Sequence, residues 1–226
     1  MKKKKAVVLL SGGLDSSVTL SIALKKGFEA HCISFNYKQR HATEISFAKF
    51  QAKNQNAKSH KIIKIDFFGG SALTDNIPVP RNKNFNNIPD SIPKTYVPGR
   101  NLIFLSYAIG FAEYLKSSSI FIGVNAIDYS GYPDCRPDFI KSFEKTSNLA
   151  TKKGIEGNKI KIYTPLINIS KKDIILLGKK NNVNFKKTLS CYNPTEKKSC
   201  GECDACLIRT KGFSEANIKD PLTYMK

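Results

Sequence analysis

The 226-residue sequence contains neither a Gly-x4-Gly-Lys-Ser/Thr motif nor a Gly-x-Gly-x-x-Gly motif. A Walker-type nucleotide triphosphatase and a dinucleotide-binding dehydrogenase are therefore excluded as readings. No apolar run approaches the ~18 residues that a membrane-spanning helix needs. The apolar stretch behind the basic residues 1–5 is too short for a signal h-region and is followed by no cleavage site. Arginine is scarce: Arg40, Arg81, Arg100, Arg136 and Arg209 are the only ones among 37 basic residues. The formal net charge of +19 is therefore nearly all lysine, dispersed in pairs such as Lys25-Lys26, Lys171-Lys172 and Lys186-Lys187. Planar, bidentate recognition favours arginine, so this pattern describes a solvated surface and no dedicated nucleic-acid groove. There is no internal repeat and no glutaminase constellation, and no histidine stands near Cys135 to activate it as a nucleophile. The expectation is a soluble cytoplasmic protein, bound to no membrane, that buries roughly 70% of its unfolded surface without disulfides. Its six cysteines are then ligands or bystanders.

What is present is organised around Leu10-Ser11-Gly12-Gly13-Leu14-Asp15-Ser16-Ser17-Val18-Thr19-Leu20. Residues 6–10 form a short continuous apolar run, suited to a strand buried on both faces. After Ser17 the apolar residues take helical spacing until Gly27. The glycine turn thus joins a strand's carboxyl end to a helix's amino end, where backbone N–H groups and helix polarity attract an anion. Asp15 would repel a phosphate unless a divalent cation lay between them, which points to a magnesium-bound nucleotide. The stretch resembles the Ser-Gly-Gly-x-Asp-Ser pyrophosphate loop of the N-type ATP pyrophosphatases. Such enzymes activate a carbonyl oxygen with AMP and release pyrophosphate.

Strands and helices alternate along the chain, which predicts an α/β fold with a parallel sheet covered on both faces. Strands are expected over 30–35, 61–66, 119–124 and 160–164, and helices over 41–53, 101–115, 138–150 and from Ser170 to about 180. Residues 68–98, rich in proline, glycine and asparagine, read as a lid, a binding loop or a disordered segment. Ligands gather at the carboxyl ends of such strands, so the polar residues that follow them are the ones to weigh.

Three groups stand there. Tyr37, Gln39, Arg40, His41 and Glu44 follow the second strand, where a nucleotide's adenine or ribose would lie. Gly99-Arg100-Asn101 offers close backbone approach and a forked donor for a carboxylate or phosphate. Asp128, Tyr132, Asp134 and Arg136 share an irregular segment that could stack on and hydrogen-bond a planar purine-like ligand. Separately, Cys191, Cys200, Cys203 and Cys206 lie on a tail of little apolar content, with the ligand number of a closed structural zinc site. The Cys-x2-Cys-x2-Cys run also fits half of an iron–sulfur pattern.

In combination, the glycine loop, Tyr37-x-Gln39-Arg40-His41, Gly99-Arg100-Asn101, 130–136, Ser190-Cys191-Tyr192 and the cysteine tail resemble the QueC family of queuosine biosynthesis from end to end. The resemblance implies a Rossmann-like, adenine nucleotide alpha hydrolase-like domain over 1–185 and a zinc-binding segment over 186–226. It also implies a ligase that adenylates 7-carboxy-7-deazaguanine with ATP, lets ammonia displace AMP, and activates the resulting amide with a second ATP to leave a nitrile. On that basis Asp15, Ser16 and Arg100 would be catalytic, residues 10–20 would hold ATP and magnesium, and Arg100, Asn101, Asp128, Tyr132, Asp134 and Arg136 would hold the deazaguanine. One structural zinc, no nucleic-acid partner and a homodimer complete the expectation. The rivals are a tRNA-modifying enzyme with the same loop and a zinc-stabilised nucleotide-binding module.

Overall fold

The computed structural model describes residues 3–37, 43–82, 85, 91–127, 131–195 and 198–225. Five strands, β1 (Lys5–Leu9), β2 (Glu29–Asn36), β3 (Ser59–Lys64), β4 (Ser119–Phe121) and β5 (Lys161–Tyr163), form one sheet in the order β3-β2-β1-β4-β5. Every neighbouring pair is parallel. Seven helices accompany them among the described residues: α1 (Leu14–Lys25), α2 (Thr43–Asn54), α3 (Arg100–Tyr114), α4 (Pro137–Ala150), α5 (Lys152–Ile155), α6 (Lys171–Lys180) and α7 (Asp204–Glu215).

The sheet is covered on both faces because β1 is apolar without interruption. Successive side chains point to opposite faces, so Val7 and Leu9 join one core with α3 and α4, through Leu105, Ala108, Ile109 and Ile140. Ala6, Val8 and Leu10 join the other, with Leu20 and Ala23 of α1 and Ala48 and Ala52 of α2. The outer side of α1 is buried in turn: Leu14, Val18 and Ile22 pack against Ile174, Ile175, Phe185 and Phe213, so α6 and α7 make a further layer. The strand order reverses on either side of β1, and the carboxyl ends of β1 and β4 flank the crevice where open parallel sheets bind ligands.

Several boundaries differ from the sequence expectation. β3 lies at 59–64 instead of 61–66, β4 ends at Phe121 instead of 124, and β5 stops at Tyr163. Residues 122–125, beyond the end of β4, line the crevice. Helix α3 begins at Arg100 with Gly99 as its cap, in the left-handed region at φ 62°, so Asn101 belongs to its first turn. The tail is more apolar than its sequence suggests. It contains α7, whose Ile208 and Phe213 are buried. The described part of 68–98 folds on itself through Ala72 N–H to Lys94 O (2.8 Å). It is tied to the tail where Asn82 Nδ2 donates to Asp204 Oδ1 (2.6 Å).

Candidate active site

The glycine loop sits where the topology requires. Gly12 has φ +88° and lies against the start of α2; a Cβ there would stand 2.5 Å from Glu44 O and 2.6 Å from Ala48 N. Only glycine allows that approach. Gly13 precedes α1, and the loop hydroxyls close on one another: Ser11 N–H donates to Ser16 Oγ (3.2 Å), and Ser17 Oγ donates to Gly13 O (2.7 Å). Leu189 N–H donates to Gly12 O (3.0 Å), so the segment before the cysteines touches the loop directly.

Asp15 opens α1 and is gripped by Lys171, the first residue of α6. The ammonium Nζ lies 2.7 Å from Oδ1 and 2.9 Å from Oδ2, and the Lys171 side chain is only 7% exposed. Burying a lysine is favourable only against a partner of this kind. The sequence reading missed Lys171, which looked like one of many surface lysines. Its neighbour Ser170 caps α6 as expected, accepting from Asp173 N–H at 3.1 Å.

A cleft of about 230 Å³ lies above the loop, lined by Ser11, Gly13, Leu14, Asp15 and Ser16 on one side and by Tyr37, Glu44, Arg100, Asn101 and Tyr132 on another. Leu10 is also in its wall, whereas Val18, Thr19 and Leu20 lie behind it in buried helix. Phe104, Asn125, Ser190 and Tyr192 also line it; Ser190 and Tyr192 entered the sequence reading only as parts of a motif, without a role of their own. Asn125 is itself fixed by donating to Leu166 O and Ile169 O, each at 2.8 Å.

The expected substrate residues separate into groups. Arg100 lies in the cleft and donates to Tyr37 Oη at 3.3 Å. Tyr132 Oη is 2.7 Å from Thr95 Oγ1 and 3.3 Å from Tyr192 Oη. Asp134 is buried beneath α3, where its Oδ2 accepts the Asn101 N–H at 2.9 Å. The Asn101 amide continues to Asp134 O and to Cys135 Sγ, each at 3.3 Å. Asp134 thus organises the helix start from behind the wall, and Arg136 is an exposed residue capping α4. Gln39, Arg40, His41 and Asp128 lie outside the described residues.

Burial governs the titration of this wall. It raises the Tyr37 and Tyr132 phenols and pushes the Cys135 thiol up to about 12, so that thiol is inert at neutral pH. It also lifts the Glu44 carboxyl from 4.5 to about 7, against the opposing pull of Arg100.

Beside the cleft, the Sγ atoms of Cys191, Cys200, Cys203 and Cys206 all lie within 4.8 Å of one another, and all four cysteines are buried and unbridged. Four thiolates on a tetrahedral ion at ~2.3 Å would be ~3.8 Å apart. Cys200 and Cys206 are 3.9 Å apart. Backbone N–H groups of Asn193 and Cys200 point at Cys191 Sγ, at 3.3 and 3.2 Å, as they do around thiolates. The cluster could hold a metal ion.

Among the described residues no helix is long and apolar enough to cross a membrane. A family model described as "Queuosine biosynthesis protein QueC" matches residues 5–217. The chain is 54% identical over 226 residues to the 7-cyano-7-deazaguanine synthase of Rickettsia akari (strain Hartford), covering 98% of this chain and 100% of that one. It is likewise 54% identical over 224 residues to the protein of the same name from Acetivibrio thermocellus, covering 99% of each. Among solved structures, NMN synthetase from Francisella tularensis superposes with a TM-score of 0.48 at 17% identity, over 80% of this chain and 63% of that chain. With the family pattern and its relatives matching from one end to the other, the chain belongs to the QueC family.

Proposed function

We propose that this protein converts 7-carboxy-7-deazaguanine and ammonia into 7-cyano-7-deazaguanine at the cost of two ATP. The observation that carries this reading is the end-to-end likeness to synthases of that name, with the loop, Arg100 and Tyr132 gathered around one cleft. The chemical difficulty is to turn a carbonyl oxygen into a leaving group, and electrostatic stabilisation of the departing pyrophosphate is the largest contribution a protein can make. The loop N–H groups and the start of α1 would receive the phosphates. Lys171, already at the loop beside Asp15, would add a full positive charge there. Magnesium accompanying ATP would be shared by Asp15 and the phosphates, offsetting negative charge.

Arg100 and Asn101 would orient the carboxylate, and Tyr132 with Asp128 would hold the deazaguanine. Asp134 would act through Asn101, and Arg136 from the rim. The four cysteines would hold one zinc, whose closed set of thiolates makes it structural. In this reading the body spans 1–185 and the metal segment 186–226. Dispersed lysine supports small-molecule partners over nucleic acid. The working form is a cytoplasmic homodimer.

The test is mass spectrometry of the deazapurine after incubation with ATP, magnesium and ammonium. The expected result is the nitrile with two AMP per product. ATP binding without pyrophosphate release would overturn the reading, and so would thiolation or lysidine formation on tRNA.

A further inference from the structure

We propose that Glu44 is the base that removes the protons of the substrate nitrogen as the amide and then the nitrile form. The inference rests on the reaction proposed above, which it deepens. Ammonia carries three N–H bonds and a nitrile carries none. In the first stage nitrogen bonds to the acyl carbon, the C–O bond to AMP breaks with its electron pair on AMP, and one proton leaves nitrogen. In the second, the amide oxygen displaces pyrophosphate from ATP as another proton leaves nitrogen. The last proton departs while the second C–O bond to AMP breaks and the C–N triple bond completes. Nothing is oxidised or reduced, and each proton passes to the base and then to water.

The cleft offers few bases. Both oxygens of Asp15 are on the Lys171 ammonium. The Tyr37 and Tyr132 phenols and the Cys135 thiol are held in their protonated forms by burial. Glu44 lines the same wall, in the first turn of α2, and no described residue donates a hydrogen bond to its carboxylate. Its backbone oxygen faces Gly12, so the carboxylate and the phosphate loop are parts of one packed unit. An ordinary exposed carboxylate is too weak a base for this work, whereas one poised near neutrality is matched to it. Desolvation moves Glu44 there, to about 7. The groups facing it among the described residues are Arg100 from α3, which opposes the rise, and the Tyr37 phenol beyond β2.

Glu44→Gln is compared with the unchanged protein in two assays: nitrile formation from the amide, and carboxylate-dependent exchange of pyrophosphate into ATP, which moves no N–H proton. Nitrile formation should fall ~10²- to 10⁴-fold and exchange by at most a few-fold. The acid limb of the rate–pH profile, with its inflection near 7 in the unchanged protein, should disappear. Glu44→Asp, which keeps the carboxylate, should retain the limb and recover part of the rate. It also serves if the glutamine variant fails to fold. Equal loss in both assays, or an unaltered acid limb in Glu44→Gln, would overturn the proposal. Absence of nitrile with the unchanged protein would instead refute the function on which it rests.

Discussion

Replacing Arg209 by methionine should destabilise the protein by ~3 kcal/mol and weaken its grip on ATP. Arg209 is 2% exposed, and its Nε and Nη2 donate to the two oxygens of Asp220 at 2.8 and 3.0 Å. It also donates to Thr188 Oγ1 (2.8 Å) and Phe185 O (3.1 Å). The same segment donates from Leu189 to the glycine loop. Removing one partner of a buried pair costs ~3–5 kcal/mol, because the other charge is left in a poor solvent. Asp220 would keep the Tyr224 hydroxyl (2.6 Å) and the Leu222 N–H (3.1 Å), which argues for the lower end of that range. At ~2–4 °C per kcal/mol for a domain of this size, Tm should fall by ~6–12 °C. The fall is measured by thermal unfolding followed by circular dichroism, alongside KM for ATP. The pH dependence has a definite sign. Burial alone would raise the Asp220 carboxyl, but the hydrogen bonds and charge of Arg209 bring it below its ordinary 3.8. A depressed folded-state value contributes stability above the unfolded value and loses it as pH falls through the folded one. The gap between the two proteins should therefore be full at neutral pH and close below 3.8. A loss under ~1 kcal/mol at pH 7, or a gap independent of pH in acid, would refute the reasoning.

Three further outcomes are expected. Gly12→Ala places a Cβ 2.5 Å from Glu44 O at a φ of +88°, so ATP turnover should be lost; a crystal structure of an active variant with the loop unmoved would contradict this. Lys171→Ala leaves Asp15 without its ammonium and should lower pyrophosphate release by ~10²- to 10³-fold, as read by coupled phosphate assay; a rate near that of the unchanged protein would exclude the phosphate role. The Glu44 carboxyl, raised by burial to about 7, contributes stability below 4.5 that is lost as pH rises through 7. Glu44→Gln should therefore gain Tm relative to the unchanged protein between pH 5 and pH 8, and a constant difference in calorimetry would count against the burial cause.

Features carried by adjacent residues were legible in the sequence. The apolar run of β1, the glycine turn and Ser170 all announce themselves locally, and the spacing of Cys200, Cys203 and Cys206 foretells their convergence. Lys171 was not legible, because its burial arises from α6 crossing α1 and nothing in a Lys-Lys pair encodes that crossing. Helix α7 was hidden for a related reason. Its inward face carries Cys206, Arg209 and Gly212 beside Ile208 and Phe213, so the usual apolar periodicity is interrupted by residues serving the cysteine cluster and Asp220. The placement of Asp134 was hidden in the same way: its sequence shows a carboxylate in an irregular segment, and only the fold shows that it turns inward to the start of α3. The three outer strand boundaries were displaced because pairing partners, and not composition, determine where a ladder stops.

The bond from Leu189 to Gly12 has a consequence for biogenesis. A ribosome delivers the glycine turn early, yet the residues that brace it emerge only after almost every strand and helix has been translated. Nascent chains halted before residue 185 would carry the whole sheet and still lack the bond that braces the glycine turn, so that turn is completed only late in synthesis.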